Sequence, residues 1–75
     1  MKKIRIPGEL PKGGALKVII SVGTLGFKRT EYLKEDEWKP GSCIYVDNET
    51  TYVSFETSSA PTKVLRRPLS AILVE

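Results

Sequence analysis

Apolar and polar residues alternate over residues 15–22, and this is the clearest pattern in the chain. Leu16, Val18, Ile20 and Val22 fall on one face of an extended strand, and the residues between them fall on the other. A period of two is typical of a strand with one buried face. The pattern therefore predicts a strand whose apolar face enters the core.

Two further runs, residues 43–46 and 51–55, are rich in Tyr, Val, Ile and Phe, the residue types that favour strands. The residues between them, 47–50, include Asp and Asn, which tolerate turn geometry. This arrangement predicts a β-hairpin with a four-residue loop.

Shorter apolar runs predict the remaining strands. We expect a first strand at residues 3–6 and a further strand at 62–66. Residues 69–74 are predicted to form a closing strand, since Pro68 directly before them stands where a strand tolerates proline.

Residues 27–38 show neither a clean strand period nor a clean helical stripe. The best interpretation is a strand at 26–30 followed by one or two helical turns near 31–38, ended by Pro40 and Gly41. Gly and Pro interrupt most of the rest of the chain, so long helices have little room.

These elements predict an all-β or β-rich fold of five to six short strands with one short helix near 31–38. A small twisted barrel or a rolled sheet accommodates this set, and we expect the barrel, for which SH3-like and OB-like closures fit equally well. At 75 residues and 8.4 kDa, the chain 1–75 is expected to form a single domain.

The composition argues against most catalytic chemistry. The chain has no His and one Cys, Cys43, so it offers neither a His-dependent nucleophile nor the ligand set of a zinc site. We therefore expect no enzyme activity, no metal and no cofactor. A single Cys forms no intrachain disulfide, and the basic first residues precede no long apolar run, so we expect a cytoplasmic protein without a membrane segment.

Charge is segmented along the chain, although the net charge is only +3. Residues 1–30 carry seven basic and one acidic side chain, residues 31–60 two basic and seven acidic, and residues 61–75 three basic and one acidic. Basic charge thus lies on both sides of an acidic block, which narrowly favours nucleic acid as the partner.

Basic residues beside aromatic ones predict a nucleic-acid interface, because aromatic rings stack on unpaired bases while Lys and Arg contact phosphates. Core packing is the commoner role of Phe27 and Tyr32 in a small barrel, and ion pairing is an equal alternative for the two adjacent arginines. The candidate nucleic-acid-binding residues are Lys17, Phe27, Lys28, Arg29, Tyr32, Lys63, Arg66 and Arg67.

The alternative is a protein-interaction module, such as an inhibitor, an assembly component or a viral accessory protein. It would dock through the acidic segment 31–37 and through strand edges. Its candidate contact residues are Glu35, Asp36, Glu37 and Trp38. Open strand edges in so short a chain also predict a homodimer or a higher symmetric oligomer.

Overall fold

The computed structural model describes residues 1–23 and 26–74. Within them the chain forms six strands: β1 Lys2–Arg5, β2 Leu16–Val22, β3 Phe27–Leu33, β4 Cys43–Val46, β5 Thr50–Thr57 and β6 Ala60–Pro68. A 3-10 turn at Glu35–Glu37 lies between β3 and β4, and a one-turn helix, α1, spans Leu69–Ile72. The predicted β-rich class, with six strands, is confirmed.

Four strands form one antiparallel sheet in the order β3-β2-β5-β6. The predicted alternation of β2 is confirmed, since Leu16, Val18 and Ile20 are fully buried and Val22 packs against the same core. The residues between them are half-buried and lie on the opposite face of the sheet.

β1 and β4 form a separate antiparallel sheet of two strands, in which Ile4 lies opposite Ile44. This sheet and α1 cover the apolar face of the larger sheet. The buried apolar side chains that meet between these layers form one cluster: Ile4, Ile6, Leu10, Leu16, Val18, Ile20, Trp38, Val46, Val53, Phe55, Leu69 and Ile72.

The predicted hairpin between residues 43–46 and 51–55 is wrong. A turn does form there, because the Thr50 N–H donates to the Asp47 carbonyl at 3.1 Å. The turn nevertheless carries the chain from one sheet to the other, since β4 pairs with β1 while β5 pairs with β2 and β6. The described strands therefore form two sheets, and the predicted closed barrel is wrong as well.

The predicted closing strand at 69–74 is also wrong. Leu69 and Ile72 lie three residues apart, the spacing of one helical turn, and both are buried in α1. Between the helix and residue 74, where the description of the chain ends, Leu73 forms an isolated bridge with Ile4, and the Val74 N–H donates to the Lys3 carbonyl at 2.8 Å.

Residues 27–38 divide differently from the prediction. β3 continues as far as Leu33, and the helical part shrinks to the single turn Glu35–Glu37. Pairing with β2 along all seven residues of β3 explains the longer strand, because each residue from Phe27 to Leu33 has a partner on β2. In the described part of the chain, no helix has the length and apolar character needed to cross a membrane.

Candidate nucleic-acid interface

The four-stranded sheet has one face on the core and one face toward solvent. Every side chain on the solvent face is exposed or half-buried. We call this surface the outer face. Strand pairing places the following residues on it: Lys17, Ile19, Ser21, Lys28, Thr30, Tyr32, Tyr52, Ser54, Glu56, Arg66 and Pro68.

Cross-strand pairing arranges the outer face in rows. In one row Lys17 lies directly between Tyr32 on β3 and Glu56 on β5. Tyr32 is 68% exposed, so most of its ring is available to a ligand. This row combines a free aromatic surface with an adjacent ammonium group, the pair of groups that a stacked nucleotide requires.

A second row contains Lys28 on β3, Ser21 on β2 and Tyr52 on β5. The Arg66 guanidinium lies over the Tyr52 ring, with Cζ 4.5 Å from the ring centroid. This cation–π contact holds an arginine against a ring that is still 41% exposed. Arginine and aromatic planes arranged in this way both accept unpaired bases.

A shallow depression of about 460 Å³ opens beside this stack. Lys28, Tyr52 and Arg66 line it, and Ser21 and Thr51 complete its polar wall. Two cations therefore face a concave surface that contains an aromatic ring. From ordinary strand spacings, the two outer-face tyrosines lie about 16 Å apart, so an extended ligand must cross the sheet to reach both.

Two of the predicted residues, Arg29 and Arg67, form ion pairs on the core side of the sheet. Arg29 contacts the Glu31 carboxylate at 3.2 Å and the Asp47 carboxylate at 2.7 Å. Its charge is thus largely offset by two carboxylates within the chain. The structure places Arg29 opposite Ile20, on the face of the sheet away from Lys28.

Arg67 and Arg66 point to opposite faces of β6, as the sequence predicts for neighbours in a strand. Arg67 contacts the Glu9 carboxylate at 2.6 Å, so the ion-pairing alternative applies to this arginine. The hydrogen bond from Arg67 lowers the pKa of the Glu9 carboxyl, and the nearby guanidinium charge acts in the same direction. Arg66 alone of this pair belongs to the outer face.

Strand pairing does not place the remaining predicted residues, Phe27 and Lys63, on the outer face. Phe27 is 75% exposed, although core packing was its expected role, because it begins β3, an edge strand. Lys63 is exposed on β6, near the register shift between Phe55 and Thr57. The outer face therefore brings together Lys17, Lys28, Tyr32 and Arg66 from the predicted set.

The partner-contact candidates divide into three exposed acidic residues and one buried tryptophan. Glu35, Asp36 and Glu37 are all exposed, and the Glu37 carboxylate accepts a hydrogen bond from the Lys34 N–H at 2.6 Å. Trp38 is only 5% exposed, and its indole N–H donates to the Gly14 carbonyl at 3.0 Å. Its placement among partner-contact residues is not supported, because its ring packs in the core.

Sequence reasoning missed Tyr52, the ring against which Arg66 packs. The signal was present in the alternation of residues 51–55, where inward-facing Val53 and Phe55 require Tyr52 to face outward. The predicted hairpin paired β5 with β4. It therefore did not indicate that Tyr52 lies opposite Ser21, in the row that also contains Lys28.

Comparison of the chain with protein-family models, curated proteins and solved structures finds no match. A function must therefore be inferred from the arrangement of the side chains themselves.

Proposed function

We propose that the protein binds single-stranded nucleic acid across the outer face. The observation that carries this proposal is the Arg66–Tyr52 stack beside the depression that Lys28 lines. Tyr32 offers a second exposed ring on the same surface, with Lys17 next to it. Rings stack on bases of any sequence, and the cations contact the backbone phosphates between them.

An unpaired strand fits this surface better than a duplex. Bases in a duplex are already stacked on one another, so exposed side-chain rings gain little from them. An unpaired base is free to stack on Tyr32 or Tyr52. The proposal therefore predicts tighter binding of single-stranded oligonucleotides than of duplexes with the same sequence.

The decisive experiment removes the three cations of the outer face. Lys17→Gln, Lys28→Gln and Arg66→Gln in one variant should lower affinity for an oligonucleotide and reduce the slope of log affinity against log salt by about 2, because each single-strand phosphate contact contributes about 0.7. The matched control replaces three cations elsewhere, Lys2, Lys12 and Lys39, with Gln. An equal loss of oligonucleotide affinity in the control variant would contradict the proposal. Absence of oligonucleotide binding by the wild-type protein at low salt would also contradict it.

The contribution of stacking is separated by tyrosine variants. Tyr32→Ala and Tyr52→Ala should each weaken binding by roughly 1–3 kcal/mol, the range for loss of one base–aromatic stack. Tyr45→Ala is the control, since Tyr45 is also exposed but lies on β4 in the other sheet. Tyr32→Phe should retain binding, because the ring remains.

The alternative function is docking of a basic protein on the acidic turn. Glu35 and Asp36 are exposed on this turn, which lies between β3 and β4. Replacing Glu35, Asp36 and Glu37 with Lys should then abolish binding of the protein partner, while the outer-face variant should bind it normally.

An SH3-like or OB-like topology and a cytoplasmic site of action remain predictions.

A further inference from the structure

β3 is an open edge of the four-stranded sheet. Among the described elements its only strand partner is β2, which occupies one side of it. Six of its seven residues are exposed. The backbone N–H and C=O groups on its free side can therefore pair with another strand.

The sequence of β3 is complementary to itself when two copies run antiparallel. With a two-fold axis through Thr30, Arg29 of each copy lies opposite Glu31 of the other copy. Phe27 then lies opposite Leu33, and Lys28 lies opposite Tyr32. The axis thus yields two charge pairs, two apolar pairs and two contacts between an ammonium group and an aromatic ring.

Neighbouring registers lack this complementarity. An axis through Arg29 places two arginines face to face and sets Phe27 opposite Glu31. An axis through Glu31 places two glutamates face to face and sets Arg29 opposite Leu33. Like charges directly opposite each other destabilise a strand pair, so the axis through Thr30 is favoured.

This pairing also accounts for two features of the isolated chain. Phe27 is 75% exposed on the core side of the sheet, and Leu33 of the second copy would cover it. Arg29 already contacts the Glu31 and Asp47 carboxylates within one chain, so pairing across the axis would extend an existing charge cluster by placing Glu31 of each copy beside Arg29 of the other.

We propose that β3 is the interface of a symmetric homodimer whose two sheets join into one of eight strands. A two-fold axis perpendicular to the sheet keeps both outer faces on the same side. Lys28 of one copy would then lie beside Tyr32 of the other, and the two outer faces form one continuous surface.

Substitution of Thr30 tests both the interface and its axis. Thr30→Lys should yield a monomer in analytical ultracentrifugation, because the axis brings the two introduced ammonium groups together. Thr30→Glu should also yield a monomer, because the axis brings the two introduced carboxylates together. An equimolar mixture of the two variants should recover the dimer, since each pair across the axis then has opposite charges.

The matched control is Thr62→Lys, which changes an exposed threonine on β6, the opposite edge of the sheet. It should remain dimeric. A monomeric wild type at high concentration would overturn the proposal, and so would a dimer that survives Thr30→Lys or dissociates in the control. Failure of oligonucleotide binding would leave these results unchanged, so the two proposals fail separately.

A crosslink fixes the register. In a Cys43→Ser background, Thr30→Cys should form a disulfide dimer under mild oxidation, because directly opposite residues in an antiparallel pair have Cα atoms about 4.5–5.5 Å apart. Lys28→Cys should not crosslink, since the two copies of that position would lie about 13 Å apart along the strands. Crosslinking of the Lys28→Cys variant alone would place the axis elsewhere and overturn the proposal.

Discussion

Trp38 links the acidic turn to the connection that precedes β2. Its buried indole N–H donates to the Gly14 carbonyl at 3.0 Å. Trp38→Phe keeps an aromatic ring in the core but leaves that carbonyl without its donor, so we expect a loss of about 1–3 kcal/mol in the free energy of unfolding. Urea denaturation followed by far-UV circular dichroism measures this loss. Tyr45→Phe is the control, and an unchanged urea midpoint in Trp38→Phe would contradict the prediction.

The ionisation of the Glu9 carboxyl is coupled to the fold through its contact with Arg67. The hydrogen bond from Arg67 lowers the pKa of its carboxyl below the ordinary value of 4.5. A lowered pKa means that the folded state favours the carboxylate, so this contribution to stability is present above the ordinary pKa. It is lost as the pH falls through the lowered pKa of the folded state.

We therefore expect Arg67→Gln to raise the pKa of Glu9 toward its ordinary value, as measured by NMR titration of the side-chain carboxyl. Arg66→Gln should leave the Glu9 titration unchanged, because Arg66 lies on the other face of β6. A shift of equal size in both variants would show that long-range charge, rather than the Arg67 contact, controls this carboxyl.

At the scale of elements, the connection before β2 is held against the turn between β5 and β6. The Ala15 N–H donates to the Ser58 hydroxyl at 2.9 Å, and the Ser59 hydroxyl donates to the Gly13 carbonyl at 2.8 Å. The Ser58 N–H also donates to the Ala15 carbonyl at 2.9 Å. These contacts bring the backbones so close that a side chain at position 14 has no room.

Gly14→Ala should therefore destabilise the protein more than Gly23→Ala. Both glycines have positive φ, at 72° and 67°, so the cost of roughly 1–2 kcal/mol for that backbone conformation is shared. A Cβ at position 14 would also collide with Ser58, whereas a Cβ at position 23 would meet open space. Urea midpoints monitored by Trp38 fluorescence compare the two variants, and equal midpoints would contradict the proposed close contact.

The sequence predicts individual elements better than their partners. The alternation in β2 was predicted correctly. It is a local property, because neighbouring apolar and polar residues alone show which side chains face the core. The pairing of β4 with β1 depends on residues about 40 positions apart, as Lys2 opposite Val46 shows. Local turn residues at 47–50 indicate a change of direction but carry no information about which sheet the chain enters next.

For the candidate site as well, the sequence identifies residues that are close along the chain but not those that strand pairing brings together. The sequence groups Lys28 and Tyr32 because they are only four positions apart, but the predicted strand ended at residue 30. Continuation of β3 to Leu33 is what puts both residues on the outer face. Arg66 reaches that face only through the pairing of β6 with β5. The ion pairs of Arg29 and Arg67 depend on Asp47 and Glu9, which are distant in sequence and become neighbours only in the folded chain.

At the scale of the whole molecule, strand pairings between distant segments dominate the topology. β1 pairs with β4, and β2 pairs with β5, with Leu16 opposite Thr57. The chain must lose the conformational entropy of these long loops before the strand contacts stabilise it. We therefore expect refolding in milliseconds to seconds rather than microseconds. Stopped-flow dilution from urea, followed by Trp38 fluorescence, measures this rate, and microsecond refolding would contradict the prediction.

The two-stranded sheet of β1 and β4 contains a natural probe of its own opening, the Cys43 thiol. Two strands alone are marginally stable, so this sheet is a natural place for the molecule to open without unfolding completely. Cys43 lies in β4 opposite Arg5, and its thiol is partly shielded while the strands are paired. The rate at which a thiol-reactive dye modifies this single native thiol would therefore report how often the smaller sheet opens, with no substitution introduced into the protein.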